Sequence, residues 1–262
     1  MLRKGDLTQG GITGTLLHFT LPMMVGSFLQ QCYNIADTLI VGQCIGAGAL
    51  AAVGSAYTLM VFLISVLLGL AMGSGTVFSL HYGAGNHVAL RRSIFSSFVL
   101  IGIVTLILNV AVFIWLDPIL RLLQVPQDIY GMMRSYLWII FCGIVFTFIY
   151  NFYASLLRAV GDSVTPLWFL AVSVVLNIAL DLFFILQLDW GIQGAAAATV
   201  LAQGVAALGI IIYTYRRRPE LRWHHEDMCF DRTCLKEIAS FSTLTCVQQS
   251  VMNLGILMVQ GL

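Results

Sequence analysis

Charge is scarce in this sequence. Only 10% of its 262 residues are Asp, Glu, Lys or Arg, 59% are hydrophobic, and the mean hydropathy is +0.92. A soluble domain carries about 25% charged residues, so that class is excluded. The six cysteines, at 32, 44, 142, 229, 234 and 246, form no Cys-x-x-Cys pair. They support neither a zinc site nor a disulfide framework and read as apolar fillers. Residues Met1 to Thr13 hold Arg3, Lys4 and Asp6 without a small-residue cleavage site, so no secretory leader is expected ahead of the first apolar run. A net charge of +1 carries no signal for a nucleic-acid partner.

What the sequence has instead is long apolar runs, at about 14–41, 49–80, 93–116, 130–156, 164–187, 192–215 and 239–262. Each is long enough to cross about 30 Å of hydrocarbon, which takes roughly 20 residues. Seven spans with a cytoplasmic N-terminus place eleven of the thirteen basic residues inside and only Arg121 and Arg134 outside. The expected location is the inner (plasma) membrane, with many passes. The polar stretch 216–238 divides the chain into a six-helix bundle at 1–215, a cytoplasmic linker, and a seventh helix at 239–262. The run Phe241 to Gln249 echoes Phe19 to Gln31, each opening on a Phe-Ser/Thr pair and reaching a Gln-Gln pair. Transporters are commonly built from repeated bundles, so the seventh helix is expected to open a truncated second one.

Polar residues inside the runs carry the functional signal. Asp37 and Asp181 are the only acidic residues deep within them. A carboxylate near the bilayer centre costs roughly 3 kcal/mol on insertion scales, so it marks an ion or proton pathway rather than packing. Gln30, Asn34 and Asp37, at i, i+4 and i+7, stack on one helical face, flanked by Tyr33 and Thr38. Pro22 removes one helical hydrogen bond and is a candidate hinge. Asn177 and Asp181 share a face of the fifth span, and Thr199 and Gln203 sit one turn apart in the sixth. Tyr136, Tyr150, Asn151 and Tyr153 of the fourth span are candidates to line a cavity, although interfacial aromatic belts explain some tyrosines equally. Gly69-x-x-x-Gly73 reads as a helix-packing motif, and His81 and His87 as interfacial polar residues.

The segments Tyr33-Asn-Ile-Ala-Asp-Thr-Leu-Ile-Val-Gly42, Ala51-Ala-Val-Gly54 and Leu156-Leu-Arg-Ala-Val-Gly-Asp-Ser-Val-Thr-Pro166, with Asn177 and Asp181, resemble multidrug and toxic compound extrusion (MATE) transporters, DinF-like branch. The resemblance implies an all-α polytopic membrane protein: the six-helix N-terminal bundle of a twelve-helix transporter, plus the seventh helix. It further implies antiport, with organic cations or amphipathic drug-like molecules leaving as H+ or Na+ enters. In that branch an Asp of the first helix, an Asn and an Asp of the fifth and a Thr of the sixth hold the cation, which maps onto Asp37, Asn177, Asp181 and Thr199. Those four are the expected H+ or Na+ ligands, with no other metal and no organic cofactor. Gln30, Tyr33, Asn34, Tyr136, Asn151 and Gln203 are the expected substrate-cavity residues. The full-length protein is expected to be a monomer in the lipid bilayer and not an enzyme.

Three other readings compete. A lipid-linked oligosaccharide flippase of the same superfamily usually lines its cavity with basic residues, and the apolar interior here has none. An intramembrane aspartyl protease resembles a Tyr-Asp and Gly-x-Gly-Asp pattern, whereas Asp37 follows Ala36 and Asp181 follows Leu180. A non-transporting truncated fragment is the third.

Overall fold

The computed structural model describes residues 12–122, 124–222 and 232–260. They form α1 (Ile12–Cys44), α2 (Ala47–Gly83), α3 (His87–Leu122), α4 (Gln127–Cys142), α5 (Ile144–Ala159), α6 (Val164–Leu182), α7 (Gly191–Arg217) and α8 (Arg232–Gln260). A π turn, Phe183–Gln187, extends α6, and a short 3-10 turn, Pro219–Leu221, follows α7. No strand occurs among the described residues.

The helices are apolar on their outer faces and turn polar residues inward, the reverse of a soluble bundle. On α3, Ile103, Leu106, Ile107, Val110 and Ile114 are exposed, while Ser93, Ser96, Ser97 and Thr105 are buried. Outward Val172 and Val175 on α6, and Leu201, Val205, Leu208 and Ile212 on α7, repeat the pattern at helical spacing. Lipid is the solvent that suits such a surface. Two apolar clusters fill the interior. One gathers Val41, Leu63, Leu116, Leu137, Phe141 and Ile185, and the other Phe78, Ile94, Phe148, Phe152, Leu157 and Ile210.

The structure corrects the sequence reading in three places. First, the expected fourth span, 130–156, is two helices that meet at a 47° bend at Gly143. A side chain at Gly143 would collide with Val200 of α7, so glycine is what lets α7 approach. The carbonyl of Phe141, beside the break, accepts a hydrogen bond from Asn109 Nδ2 at 2.6 Å. Second, four helices, α2, α3, α6 with its π turn, and α7, are long and apolar enough to cross a membrane, and the bent α4–α5 pair makes a fifth. The helices α1 and α8 also match expected spans. Both carry polar residues within the run, Gln30, Gln31, Asn34 and Asp37 in α1 and Gln248 and Gln249 in α8. Third, α8 begins at Arg232, inside the expected linker 216–238, and α7 runs on to Arg217. Residues 223–231 of that linker, Cys229 included, lie outside the described residues.

Helix α8 lies in a groove of α2. A Cβ on Gly69 or Gly73 would meet the backbone of Cys246 or Ser242, respectively, so the Gly-x-x-x-Gly motif is indeed a packing seam. Ser242 Oγ donates to the Leu70 carbonyl at 3.2 Å, and Cys246 Sγ to that of Val66 at 3.7 Å. The five described cysteines are free thiols.

The Leu-Arg-Ala-x-Gly-Asp segment has a local structural purpose. Gly161 takes a φ of +86°, which a side chain resists. Asp162 then faces the start of α6, accepting the Thr165 N–H at 3.0 Å and the Thr165 hydroxyl at 2.9 Å. Its other reach is to Arg218 Nη2, 3.6 Å away at the end of α7. Asp162→Ala is expected to destabilise the chain by about 1 kcal/mol, the usual worth of a helix N-terminal cap. Denaturant titration in mild detergent reads this, and an unchanged midpoint would mean that the cap contributes nothing.

Candidate functional site

Asp37 on α1, Asn177 and Asp181 on α6, and Thr199 on α7 converge within the bundle, although some 160 residues separate the first from the last. Asn177 and Asp181 are fully buried, Asp37 is 8% exposed and Thr199 6%. The i, i+4 spacing of Asn177 and Asp181 puts both on the α6 face that meets α1 and α7. Two residues beyond Asp181 the helix widens into the π turn, an irregularity that recurs at functional sites.

The carboxyl groups of Asp37 and Asp181 lie close enough to interact. Asp37 Oδ1 and Asp181 Oδ1 nevertheless have no partner. Asn177 is oriented by its surroundings: with its nitrogen toward Asp181, it donates to Oδ2 at 3.0 Å and its carbonyl accepts from the Thr199 N–H at 3.3 Å. The opposite orientation would set a carbonyl against a carboxylate oxygen. Tyr33, one turn before Asp37, donates its hydroxyl to Thr199 Oγ1 at 3.2 Å. Tyr136 of α4 is buried and lies near both carboxyl groups.

The structure thus gathers Asp37, Asn177, Asp181 and Thr199, and joins Tyr33 and Tyr136 to them. It separates the other residues singled out in the sequence. Gln30 is exposed, and Asn34 Nδ2 turns to Gln31 Oε1 at 3.4 Å, so the expected Gln30–Asn34–Asp37 stripe contributes only Asp37 to the cluster. The reason for Gln30 is axial: it shares the face of Asp37 but stands two turns along α1, beyond the reach of α6 Asp181 and α7 Thr199, while Tyr33, one turn from Asp37, reaches Thr199. Gln203 and Asn151 sit at a second polar junction. There the Thr147 hydroxyl of α5 hydrogen-bonds Gln203 Oε1 of α7, and Asn151 Nδ2 donates to the Thr147 carbonyl at 2.8 Å. Thr147 went unnoticed in the sequence, although it stands one turn before Asn151. Two of the candidate tyrosines have structural positions: Tyr150 donates to the Pro166 carbonyl at 2.9 Å, and Tyr153 is buried among aromatics. Helix α1 runs unbroken through Pro22.

Such a cluster has the chemistry of a cation or proton site. It offers two carboxyl groups, a hydroxyl and an amide in a dry interior, with two oxygens unpaired. No group of three or more His, Cys, Asp or Glu suited to a transition metal occurs among the described residues.

Comparison with known proteins agrees with this architecture. The MatE family model matches residues 22–183. The chain is 37% identical over 217 residues to the probable multidrug resistance protein YpnP of Bacillus subtilis, covering 83% of this chain and 49% of that protein. It is 31% identical over 210 residues to the multidrug export protein MepA of Staphylococcus saprophyticus, covering 77% and 45%. The chain therefore spans about half the length of these curated relatives. A solved outward-facing multidrug resistance MATE transporter of the MOP superfamily superposes with a TM-score of 0.90 at 24% identity, covering 98% of this chain and 57% of that one. With its helical membrane bundle and the family match across most of its spans, this chain belongs to the MatE family of multidrug and toxic compound extrusion transporters.

Proposed function

We propose that this chain forms the N-terminal bundle of a secondary antiporter that exports organic cations or amphipathic drugs in exchange for H+ or Na+. One observation carries the reading: Asp37 and Asp181 are both buried in one cluster, and each keeps a carboxyl oxygen without a partner. Two carboxylates in low dielectric repel, so a proton or a sodium ion between them is strongly favoured. Asp37, Asn177, Asp181 and Thr199 are the coupling residues in this reading. Arrival of the cation removes the repulsion between α1 and α6. Its departure restores that repulsion, and the difference biases the bundle between outward-open and inward-open states. Pro22 is the hinge about which α1 would move. Gln30, Tyr33, Asn34, Tyr136, Asn151 and Gln203 are the proposed substrate-cavity residues. Tyr33 hydrogen-bonds Thr199, so substrate contact and cation contact meet in one side chain. The transporter is read as a monomer with a cytoplasmic N-terminus.

Drug efflux from vesicles carrying a transporter with this bundle, under an imposed pH or Na+ gradient, tests the reading. Asp37→Asn is expected to lower gradient-driven efflux about tenfold, within the usual range of coupling energies. Which gradient drives efflux in the parent assigns the ion. Undiminished efflux in a stably expressed Asp37→Asn variant would move coupling out of this bundle.

A further inference from the structure

Where α2 ends and α3 and α8 begin, a cavity of about 220 Å3 is lined in part by His81, Asn86, Arg92, Ser93, Cys234 and Glu237. None of Asp37, Asn177, Asp181 and Thr199 lines it, and it plays no part in the exchange described above. Arg92 Nε is sealed from solvent and has no hydrogen-bond partner, an arrangement that costs stability until an acceptor arrives. Glu237 is the only carboxylate among the described lining residues, and its Oε2 stands 3.7 Å from His81 Nε2. Asn86 spends its Oδ1 on the Ala89 N–H, at 3.0 Å, which leaves its amide nitrogen as a donor. The cavity also sits at the N-terminal end of α3, a helix of 36 residues whose dipole adds positive potential there. Donors and positive charge face an interior with a single acidic group among its described lining residues.

We propose that this cavity binds a phosphate group, carried by a phospholipid head group of the adjoining leaflet or free in solution. Because Cys234 and Glu237 belong to α8 and the remaining lining residues to α2, α3 and the turn between them, a bound phosphate would fasten α8 to the bundle. The guanidinium of Arg92 is the principal ligand, since Arg presents parallel donors matched to phosphate oxygens.

The test uses the purified 262-residue chain. Its thermal unfolding is followed in neutral detergent with inorganic phosphate against chloride at equal ionic strength. The same measurement is made in phosphatidylcholine nanodiscs with and without phosphatidylglycerol. Stabilisation by both probes, or by phosphatidylglycerol alone, supports the site and assigns the source: a phosphate group of either origin in the first case, a lipid head group in the second. Arg92→Gln is expected to weaken the apparent affinity about tenfold, as loss of a charge-assisted hydrogen bond does, whereas Arg121→Gln, at the other end of α3, leaves it unchanged. Glu237→Gln removes the competing carboxylate and should tighten binding severalfold. No stabilisation by either probe, or equal affinity in Arg92→Gln and the parent, overturns the proposal. Should Arg92→Gln fail to fold, unchanged or weaker affinity in Glu237→Gln does the same.

Discussion

Asp181→Asn is expected to weaken cation binding by this chain about 100-fold, or roughly 3 kcal/mol, while leaving the fold at least as stable. The carboxamide has the shape of the carboxyl, so packing against α1 and α7 is kept. Asn177 can turn its amide to suit either neighbour, since it already pairs with Asp181 through one oxygen only. What disappears is a buried charge with one oxygen unpaired, and removing such a charge relieves a desolvation cost rather than breaking a structural bond. Sodium titration of the purified chain by calorimetry, repeated across pH to catch proton competition, reads the binding. Denaturant titration of the same sample reads the stability. Loss of both together would mean that Asp181 is structural. Retention of both would remove Asp181 from the site.

The largest effect on stability is expected at the bend. Gly143→Val places a branched side chain where Val200 of α7 already stands, and is expected to cost about 3 kcal/mol. The backbone itself offers no objection: Gly143 has a φ of −88°, a conformation open to any residue. The penalty is therefore steric and should be recovered in large part by Val200→Ala in the same chain. A double-mutant cycle measures that recovery directly. Additive destabilisation would show that the bend, not the contact, requires glycine.

These two residues also mark what the sequence discloses and what it conceals. A carboxylate in an apolar run is conspicuous because the membrane penalises it, so Asp37 and Asp181 stood out from composition alone, and helical spacing brought Asn177 with them. Tyr33 was visible as a neighbour of the polar stripe, but its bond to Thr199 crosses 166 residues of chain and no local pattern encodes it. The bend at Gly143 was hidden for a different reason. The sequence holds 24 glycines, many in helices, and only the position of Val200 separates this one from the others. The start of α8 is hard to read from the sequence because charged residues at a helix start resemble a linker until the groove that receives the helix is seen. That groove was legible in part, as Gly69-x-x-x-Gly73, whereas the matching Ser242 and Cys246 were not.

The glycine groove of α2 bears on the order in which the chain assembles. Ser242 and Cys246 leave the ribosome 172 and 180 residues after the carbonyls that accept from them, those of Leu70 and Val66. Throughout that interval the groove stands open to lipid. Waiting costs it little, since the carbonyls are already satisfied within their own helix and a glycine surface exposes no polar side chain. The contact is thus added late to a surface that was stable before it, and synthesis of the first bundle need not pause for the helix that will lie against it.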